Sequence, residues 1–377
     1  MAKKGVKVLK GDKKKEKMED MWLAQIGQRE NHRYAWYNSK SSLLIHQLRL
    51  DISINCLLRC TRSDYGIIAT LNTSFHSLIQ SGELYKLRRQ MGIVEHWVYF
   101  SCNLLVWEAF DPIHRRWMHM PKIQTCESFM CSDKELLAVE TQLLVFGKEI
   151  MYPTIYKYSI LTHTWISGMR MHRPRCLFTS ASLDEIRIIT GGCDLHRNIL
   201  SSAELYNSET GRWETIPRMN KARKMCSAVF MEGKFYVIGG IGVESLKTIK
   251  SGEVYDLKTK TWYEIPNMYP APNERVRPTE EPLTADAPPP VAVVNDVLEE
   301  LVVMVRPFPK CTTSMNGYGI AFRACGDQLM IIGGLRVLGA GFVEINSWVP
   351  KEGHLEWNLV ARKPSSSFVY NCEVMGC

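Results

Sequence analysis

An aromatic residue followed seven positions later by tryptophan recurs four times along the chain, as Phe110/Trp117, Tyr158/Trp165, Tyr206/Trp213 and Tyr255/Trp262. The tryptophans are 48, 48 and 49 residues apart. One further step lands on Lys310, where no Trp stands, and the next on Trp357. A period of this length marks an array of similar supersecondary units, each unable to bury its apolar faces alone. Other features keep the same step. Glycine pairs close β-rich runs at Gly191–Gly192, Gly239–Gly240 and Gly333–Gly334, with Phe146–Gly147 a degenerate copy. Small Pro/Met clusters follow the tryptophans at Met120–Pro121, Met169, Pro217 with Met219, and Pro266 with Met268. Within each unit, β-branched and aromatic stretches alternate with Gly, Pro, Asn and Asp turns, the pattern of antiparallel hairpins.

A four-stranded sheet of about 45–50 residues buries both faces only when packed radially against copies of itself, and closing the ring removes exposed edges. The expected fold is therefore mainly β, a β-propeller of about six blades. Its Tyr and Trp side chains fill the wedges between sheets, each burying roughly 150–250 Å². The fifth blade is expected to be eroded. A proline- and acid-rich stretch at 269–290 reads as an excursion loop. The residues after it, 291–325, contain VAVVNDVLEELVVMV but lack the Tyr and Trp of the repeat. Either this blade is truncated or a segment has been lost, and a truncated blade would open a seam, so the sequence leaves closure of the ring undecided.

Residues 43–92 have another texture, without Trp or Pro. Ile54, Leu57 and Leu58 share one helical stripe, and Ile68, Leu71, Phe75, Leu78 and Ile79 recur at three- and four-residue steps across Ser63–Gln80. Ser63 and Ser81 stand where N-caps belong, Glu83 falls in the first turn of a further short helix, and Gly92 is a stop. About fifty residues in small helices make a marginal autonomous domain, so their apolar surface is expected to be committed to a partner or a neighbour.

Charge narrows the function classes. Of the net +8, six charges belong to residues 1–17, where eight lysines face only Asp12 and Glu16. The remainder is close to neutral, which argues against a nucleic-acid partner. Residues 1–42 read as a basic, disordered leader whose lysine run is either a nuclear-import signal or simply solvated. The twelve cysteines show no C-x₂-C spacing, no apolar h-region opens the chain, and runs such as Leu301–Val305 are far short of the roughly 18 residues of a membrane helix. Reduced thiols and a cytoplasmic or nuclear location, with no membrane partner, are expected.

No catalytic constellation is present: G-x-S-x-G, Walker and H-E-x-x-H patterns are missing. His114/His119 and His163/His172 are isolated on turns. Gly240 and Gly242 open a G-x-G pattern, but Ser245 occupies the third glycine's place and no helical pattern follows. Glu299/Glu300 have no partner acid in view. The expectation is a protein that is not an enzyme, without cofactor or metal.

The strings GGCDLHRNILSSAELYNSETGRWETIPRM and GGIGVESLKTIKSGEVYDLKTKTWYEIPNM resemble kelch repeats, and weaker copies extend the likeness over 98–377. The segment LRLDISINCLLRCTRSDYGIIATLNTSFHSLIQSGELYKLRRQMG resembles an F-box. Together they are similar to the plant F-box/kelch-repeat family. The resemblance implies a substrate receptor of an SCF-type ubiquitin ligase, docked on a Skp-type adaptor and through it on cullin, with an unidentified protein as target. It also implies that Leu48, Ile52, Leu57, Leu58, Leu71, Phe75, Leu78 and Ile79 divide between adaptor contact and module core. One departure is Arg49, where many F-boxes carry Pro after the leucine. A non-catalytic interaction scaffold is the alternative reading. Target contacts are expected in the loops Cys193–Ser202, Val243–Ser251 and Arg336–Gly341. Arg173, Arg175 and Arg223 suit an acidic partner, yet the recurrence of Arg173 and Arg223 after the Pro/Met clusters marks those two as framework.

Overall fold

The computed structural model describes residues 45, 48–101, 106–131, 134–150, 152–243, 249–268, 291–293, 301–303, 320–334, 336–337, 340–349, 356–365 and 372–376. The expected leader over 1–42 and the excursion loop at 269–290 lie outside these residues. The chain divides into two compact units, Met1–Leu78 and Ile79–Cys377.

In the first unit, α1 (Leu50–Arg59) buries Ile54, Leu57 and Leu58, the stripe expected from their spacing. The helical run expected over Ser63–Gln80 is broken into pieces with their own caps. A capping box closes on Thr61, whose hydroxyl and backbone N–H both meet the Asp64 carboxylate, at 2.6 and 3.2 Å. This is the N-cap that was expected two residues later at Ser63. It starts a single 3-10 turn leading into α2 (Tyr65–Leu71), and the buried Tyr65 hydroxyl donates to the Leu57 carbonyl at 3.0 Å. Asn72 is fully extended, and its side chain accepts the Phe75 N–H at 2.8 Å to start α3 (Thr73–Gln80).

The division between units falls within α3, earlier than residue 92. α4 (Glu83–Gln90) accordingly belongs to the second unit. Its Arg88 is buried and pairs with Glu95 at 2.5 Å, and its Arg89 pairs with Glu140 at 2.5 Å. At its start the Ser81 hydroxyl accepts the Glu83 N–H, as expected, while Gly82 takes a left-handed φ of 78°.

Six sheets follow, numbered here as blades 1 to 6. Blade 2 consists of Glu135–Val139, Gln142–Glu149, Tyr152–Ser159 and Thr164–Ser167. Blade 3 consists of Thr179–Leu183, Ile186–Thr190, Ala203–Asn207 and Arg212–Ile216, and blade 4 of Ser227–Met231, Lys234–Ile238, Gly252–Asp256 and Thr261–Ile265. Blade 1 borrows its inner strand, Cys372–Gly376, from the far end of the chain and adds His96–Ser101, Trp107–Asp111 and Arg116–His119. Blade 6 orders Ala321–Cys325, Gln328–Gly333, Ala340–Trp348 and Asn358–Pro364. Blade 5 has two described strands, Val291–Val293 and Leu301–Val303.

The seven-residue interval of the repeat is a cross-strand pair. In blades 1 to 4 the aromatic and the Trp face each other in register on the third and outer strands, with ring centroids 4.7, 5.2, 5.0 and 5.1 Å apart. Four turn residues link the two strands, and a short polar side chain at their head organises them. Asp111 accepts the N–H groups of Ile113 and His114, Asp256 those of Lys258 and Thr259, Asn207 that of Thr210 and Ser159 that of Leu161. In blade 6, Trp348 and Trp357 take over at 6.0 Å.

In blades 1, 2 and 4 the aromatic is buried more deeply than its Trp, while in blade 3 both are buried. Phe110, Tyr158, Tyr206 and Tyr255 are buried, and so is Trp213, whereas Trp117, Trp165, Trp262 and Trp357 are half-buried. The tryptophans of blades 1 to 4 sit on the outermost strand of their sheet, which has a neighbouring strand on one side only, so part of the indole stays at the rim.

The ring closes despite blade 5. The innermost strands of the six blades touch in cyclic order, and the last touches the first. Closure at the eroded blade, left undecided by the sequence, is explained by its inner strand. Val291 is buried with Val229, Met231, Tyr236, Ile238 and Val254 of blade 4, whereas the next residue, Ala292, is buried with Phe322, Leu329 and Ile331 of blade 6. Successive strand residues point to opposite faces, so one strand serves both neighbours.

Candidate functional site

Three devices of the second unit position its loops. The first is the tryptophan itself. Trp165 Nε1 donates to the Pro121 carbonyl at 2.8 Å, Trp213 to Met169 at 3.0 Å, and Trp262 to Pro217 at 2.7 Å. Each acceptor lies in the Pro/Met cluster that follows the preceding Trp, so the indole ties its blade to the connector leaving the one before.

Trp117 keeps the framework pairing with Phe110. Its indole N–H meets no acceptor among the described residues. The blade before it in the ring is blade 6, and the connector leaving that blade, at 366–371, lies outside them. Trp117 instead packs on Phe110 and Phe100, with centroids 4.7 and 5.9 Å away, and takes the Lys363 ammonium of blade 6 over its ring at 5.0 Å. Blades 1 and 6 therefore meet here through a cation–π contact.

The second device is a buried latch that joins a connector to the loop between second and third strands. In blade 3, Arg175 Nη2 meets Glu204 Oε1 at 2.6 Å while Nη1 donates to the Ser202 and Gly191 carbonyls at 2.7 and 3.3 Å. The Glu204 carboxylate also accepts the backbone N–H groups of His172 and Arg173. Blade 4 repeats the arrangement: Arg223 Nη2 lies 2.7 Å from Glu253, Nη1 is 3.0 Å from both the Gly239 and Ser251 carbonyls, and the N–H groups of Asn220 and Lys221 complete the carboxylate. The glycine pairs belong to this device. Gly191, Gly192, Gly239 and Gly240 have φ of 69°, 87°, 67° and 91°, and a Cβ on Gly240 would stand 2.8 Å from the Lys224 carbonyl. Gly333 is buried, and Gly334 runs against the Phe342 carbonyl.

The repeat-equivalent arginines are thus Arg175 and Arg223, which corrects the pairing of Arg173 with Arg223. Arg173 is exposed and stands in the place of Lys221. Burial pulls the Arg175 guanidinium below its ordinary pKa while Glu204 opposes the shift. In blade 1 the equivalent carboxylate, Glu108, meets Lys363 of blade 6 and His119. In blade 6 the carboxylate's place is taken by Asn346, while Glu344, two residues earlier, meets Arg362 of the outer strand, and in blade 2 Tyr156 stands there.

The third device lies on inner strands and was missed. Arg187, almost fully buried, pairs with Glu373 at 2.8 Å and donates to the Ala138 carbonyl at 2.6 Å; Glu373 also meets Arg323 at 3.2 Å. Blades 3, 1, 2 and 6 are joined there. The available signal was an arginine inside IRIIT, at a position that Leu143, Phe235 and Leu329 fill in other blades.

None of these arrangements is a nucleophile. Burial raises the Cys226, Cys325 and Cys372 thiols to about 12, and among the described residues no group of three or more His, Cys, Asp or Glu is placed to hold a metal ion.

The loops expected to meet a target lie at one end of the blades. In Cys193–Ser202, Cys193 and Leu200 are buried while Leu195, His196, Arg197 and Asn198 are exposed. In Val243–Ser251, Val243 is exposed and 244–248 lie outside the described residues; so do 335, 338 and 339 around Arg336–Gly341.

In the helical module the structure sorts the residues proposed for adaptor contact. Leu57, Leu58, Phe75 and Leu78 are buried, Leu48 is half-buried, and Ile52 and Leu71 are exposed at 46% and 66%. Ile67, not singled out by the sequence pattern, is exposed at 69%. Ile79 is buried and belongs to the second unit.

The kelch motif matches residues 174–220 and 222–269, the segments carrying the two arginine latches. Over longer stretches the chain is similar to three proteins of Arabidopsis thaliana. It is 54% identical to F-box/kelch-repeat protein At1g74510, over 86% of this chain and 77% of that one. It is 54% identical to F-box/kelch-repeat protein SKIP11, over 90% and 76%, and 50% identical to F-box/kelch-repeat protein At1g26930, over 90% and 85%.

Proposed function

Because the chain belongs to the F-box/kelch-repeat family, we propose that it is the substrate-recognition subunit of an SCF-type ubiquitin ligase, with no chemistry of its own. The helical module would hold a Skp-type adaptor and through it cullin, and the propeller would hold the target. Ubiquitin transfer would then follow from proximity and orientation. The cytoplasm or nucleus is the proposed place of action.

The observation that carries this reading is the exposure of Ile52, Ile67 and Leu71 on helices only seven to ten residues long. Large aliphatics left exposed on so small a helical module support a surface covered by a partner. Leu57 and Leu58 serve a different purpose, as core.

The test is capture of purified adaptor by the intact chain, beside a variant carrying Ile52→Asp, Ile67→Asp and Leu71→Asp. Capture by the parent and its loss in the variant, with an unchanged helical circular-dichroism signal, is the expected result. Failure of the parent to bind, under conditions where a known F-box protein binds, would leave the interaction scaffold as the reading to pursue. Leu57→Asp with Leu58→Asp is expected to unfold the module and so does not probe the interface.

A further inference from the structure

In an antiparallel meander, the turns after the first and third strands leave from one end of a blade, and the loops after the second strand and the connectors to the next blade from the other. Sorting the charges of blades 2 to 4 by end gives two unlike surfaces. The turn end carries Glu140, Asp184, Glu185, Glu209 and Glu232 against Lys258 and Lys260. The loop end carries Arg170, Arg173, Arg197, Arg218 and Lys250, all exposed, and the half-buried Lys224.

Among the acids at this end other than the latch carboxylates, Glu149 and Asp194 have their oxygens engaged in local hydrogen bonds, and Glu264 is paired with Lys221. Glu149 accepts the Tyr156 and Thr125 hydroxyls at 2.7 and 2.9 Å. Asp194 accepts the N–H groups of His196 and Asn198 and the Asn198 amide, and those hydrogen bonds hold its carboxyl below the usual range. The near-neutral total of the body hides this separation.

The same end displays apolar side chains. Leu195 and Val243 occupy the same repeat position in blades 3 and 4, 57% and 65% exposed, and Ile150 and Tyr152 stand at the corresponding loop of blade 2, 76% and 69% exposed. The latches and tryptophan staples fix the backbone from which these residues project.

We propose that the loop end of blades 2 to 4 is the target-binding surface and that it takes an acidic polypeptide segment bearing aliphatic side chains. This rests on the receptor reading above and names its substrate class. Guanidinium forks suit carboxylates, and a positive field speeds the encounter with an acidic partner. Leu195, Val243 and Ile150 give aliphatic anchors a surface to cover, which a phosphodiester backbone does not offer.

The test uses the full chain and four fluorescein-labelled probes of equal length, read by anisotropy. They are a peptide of alternating Glu and Leu spaced by Ser, its Glu/Ser counterpart without Leu, a Lys/Leu counterpart, and a single-stranded oligothymidine. The Glu/Leu peptide is expected to bind best and to weaken as salt rises. Arg170→Glu with Arg173→Glu and Arg218→Glu is expected to weaken it at least about tenfold, the factor that about 1.4 kcal/mol represents. Leu195→Asp with Val243→Asp is expected to remove its advantage over the Glu/Ser peptide. Equal or tighter binding of the oligothymidine or the Lys/Leu peptide, or no binding of any probe, overturns the proposal. Adaptor capture is measured on the same variants. Peptide binding without adaptor capture sinks the receptor reading alone, and adaptor capture without peptide binding sinks this one alone.

Discussion

Blades 3 and 4 and blade 5 occupy consecutive places in one ring, yet they hold it by different means. The first two have four strands, a buried arginine latch and a tryptophan staple. Blade 5 has two described strands, and within them no latch or staple, but its inner strand packs on both neighbours. The difference separates two tasks that the repeat performs together. Closing a propeller requires an inner strand whose alternate side chains face successive blades. Latch and staple act further out, where they hold connectors and loops in place. The two described strands of blade 5 show that the inner strand by itself keeps the neighbouring blades in contact.

The largest effect is expected where the latch is cut. Arg223 and Glu253 have fully buried side chains, and removing one partner of a buried pair leaves an uncompensated charge, a loss of about 3–5 kcal/mol. Arg223→Ala should therefore lower the denaturant midpoint sharply. Arg223→Met combined with Glu253→Gln should lose less than Arg223→Ala alone, because no buried charge remains. The control is Glu264→Gln in blade 4. Its carboxylate and its partner Lys221 are both exposed, so its removal should leave the midpoint nearly unchanged. Equal losses at Arg223 and Glu264 would break the distinction between a latch and an ordinary ion pair.

Val291→Ala sharpens the other side of the comparison. Val291 is buried against blade 4, and at roughly 0.8 kcal/mol per buried methylene, with a further cost for the cavity, the loss should be about 2 kcal/mol. Val229→Ala, in the inner strand of blade 4, should cost a similar amount. If Val291→Ala melts like the parent while Val229→Ala does not, the inner strand of blade 5 is dispensable and the ring is held elsewhere.

How far this was readable from the sequence depends on the distance between partners. Tyr206 and Trp213 are seven residues apart and paired across one turn, so their interval reported a hairpin directly. The same interval placed Trp117 opposite Phe110, but it carried no word of what the indole N–H would meet, because that partner belongs to another blade. The latch was within reach, since Glu204 and Glu253 stand in the Glu-x-Tyr of the repeat. Counting back 29 and 30 residues from them finds Arg175 and Arg223, whereas the position after the Pro/Met cluster suggested Arg173. Arg187 and Glu373 could not be paired in this way, because they belong to different blades and no repeat interval relates them. The helices failed differently. A stripe of Leu and Ile marks an amphipathic segment, but Leu57 and Leu71 obey the same spacing and only the packing shows that one is core and the other surface. Closure at blade 5 was not legible, because the missing Tyr and Trp belong to the outer half of a blade whereas closure depends on its inner strand.

The smallest predicted effect concerns the place where Cys372–Gly376 pairs with His96–Ser101 in blade 1. At the apolar seam of blade 5 the packed residue that titrates is Tyr236, whose pKa burial raises above 10, well above the range in which a histidine titrates. At the closing strand, by contrast, a Cβ on Gly376 would stand 3.0 Å from the His96 ring, and a Cβ on Gly326 would stand 3.5 Å from it. Burial lowers the His96 pKa below 6.5, with Asp327 opposing the shift. Folding therefore favours the neutral ring. Above pH 6.5 its contribution is fully present, and as pH falls from 6.5 through the folded-state value the unfolded chain takes up the proton first and stability drops. Unfolding midpoints of the parent measured at intervals from pH 7.5 to 5 should fall more steeply than those of His96→Gln, with the two converging on the neutral side apart from a constant offset. Parallel curves would mean that the imidazole titrates alike in folded and unfolded chains, and that the closing strand is as indifferent to pH as the inner strand of blade 5.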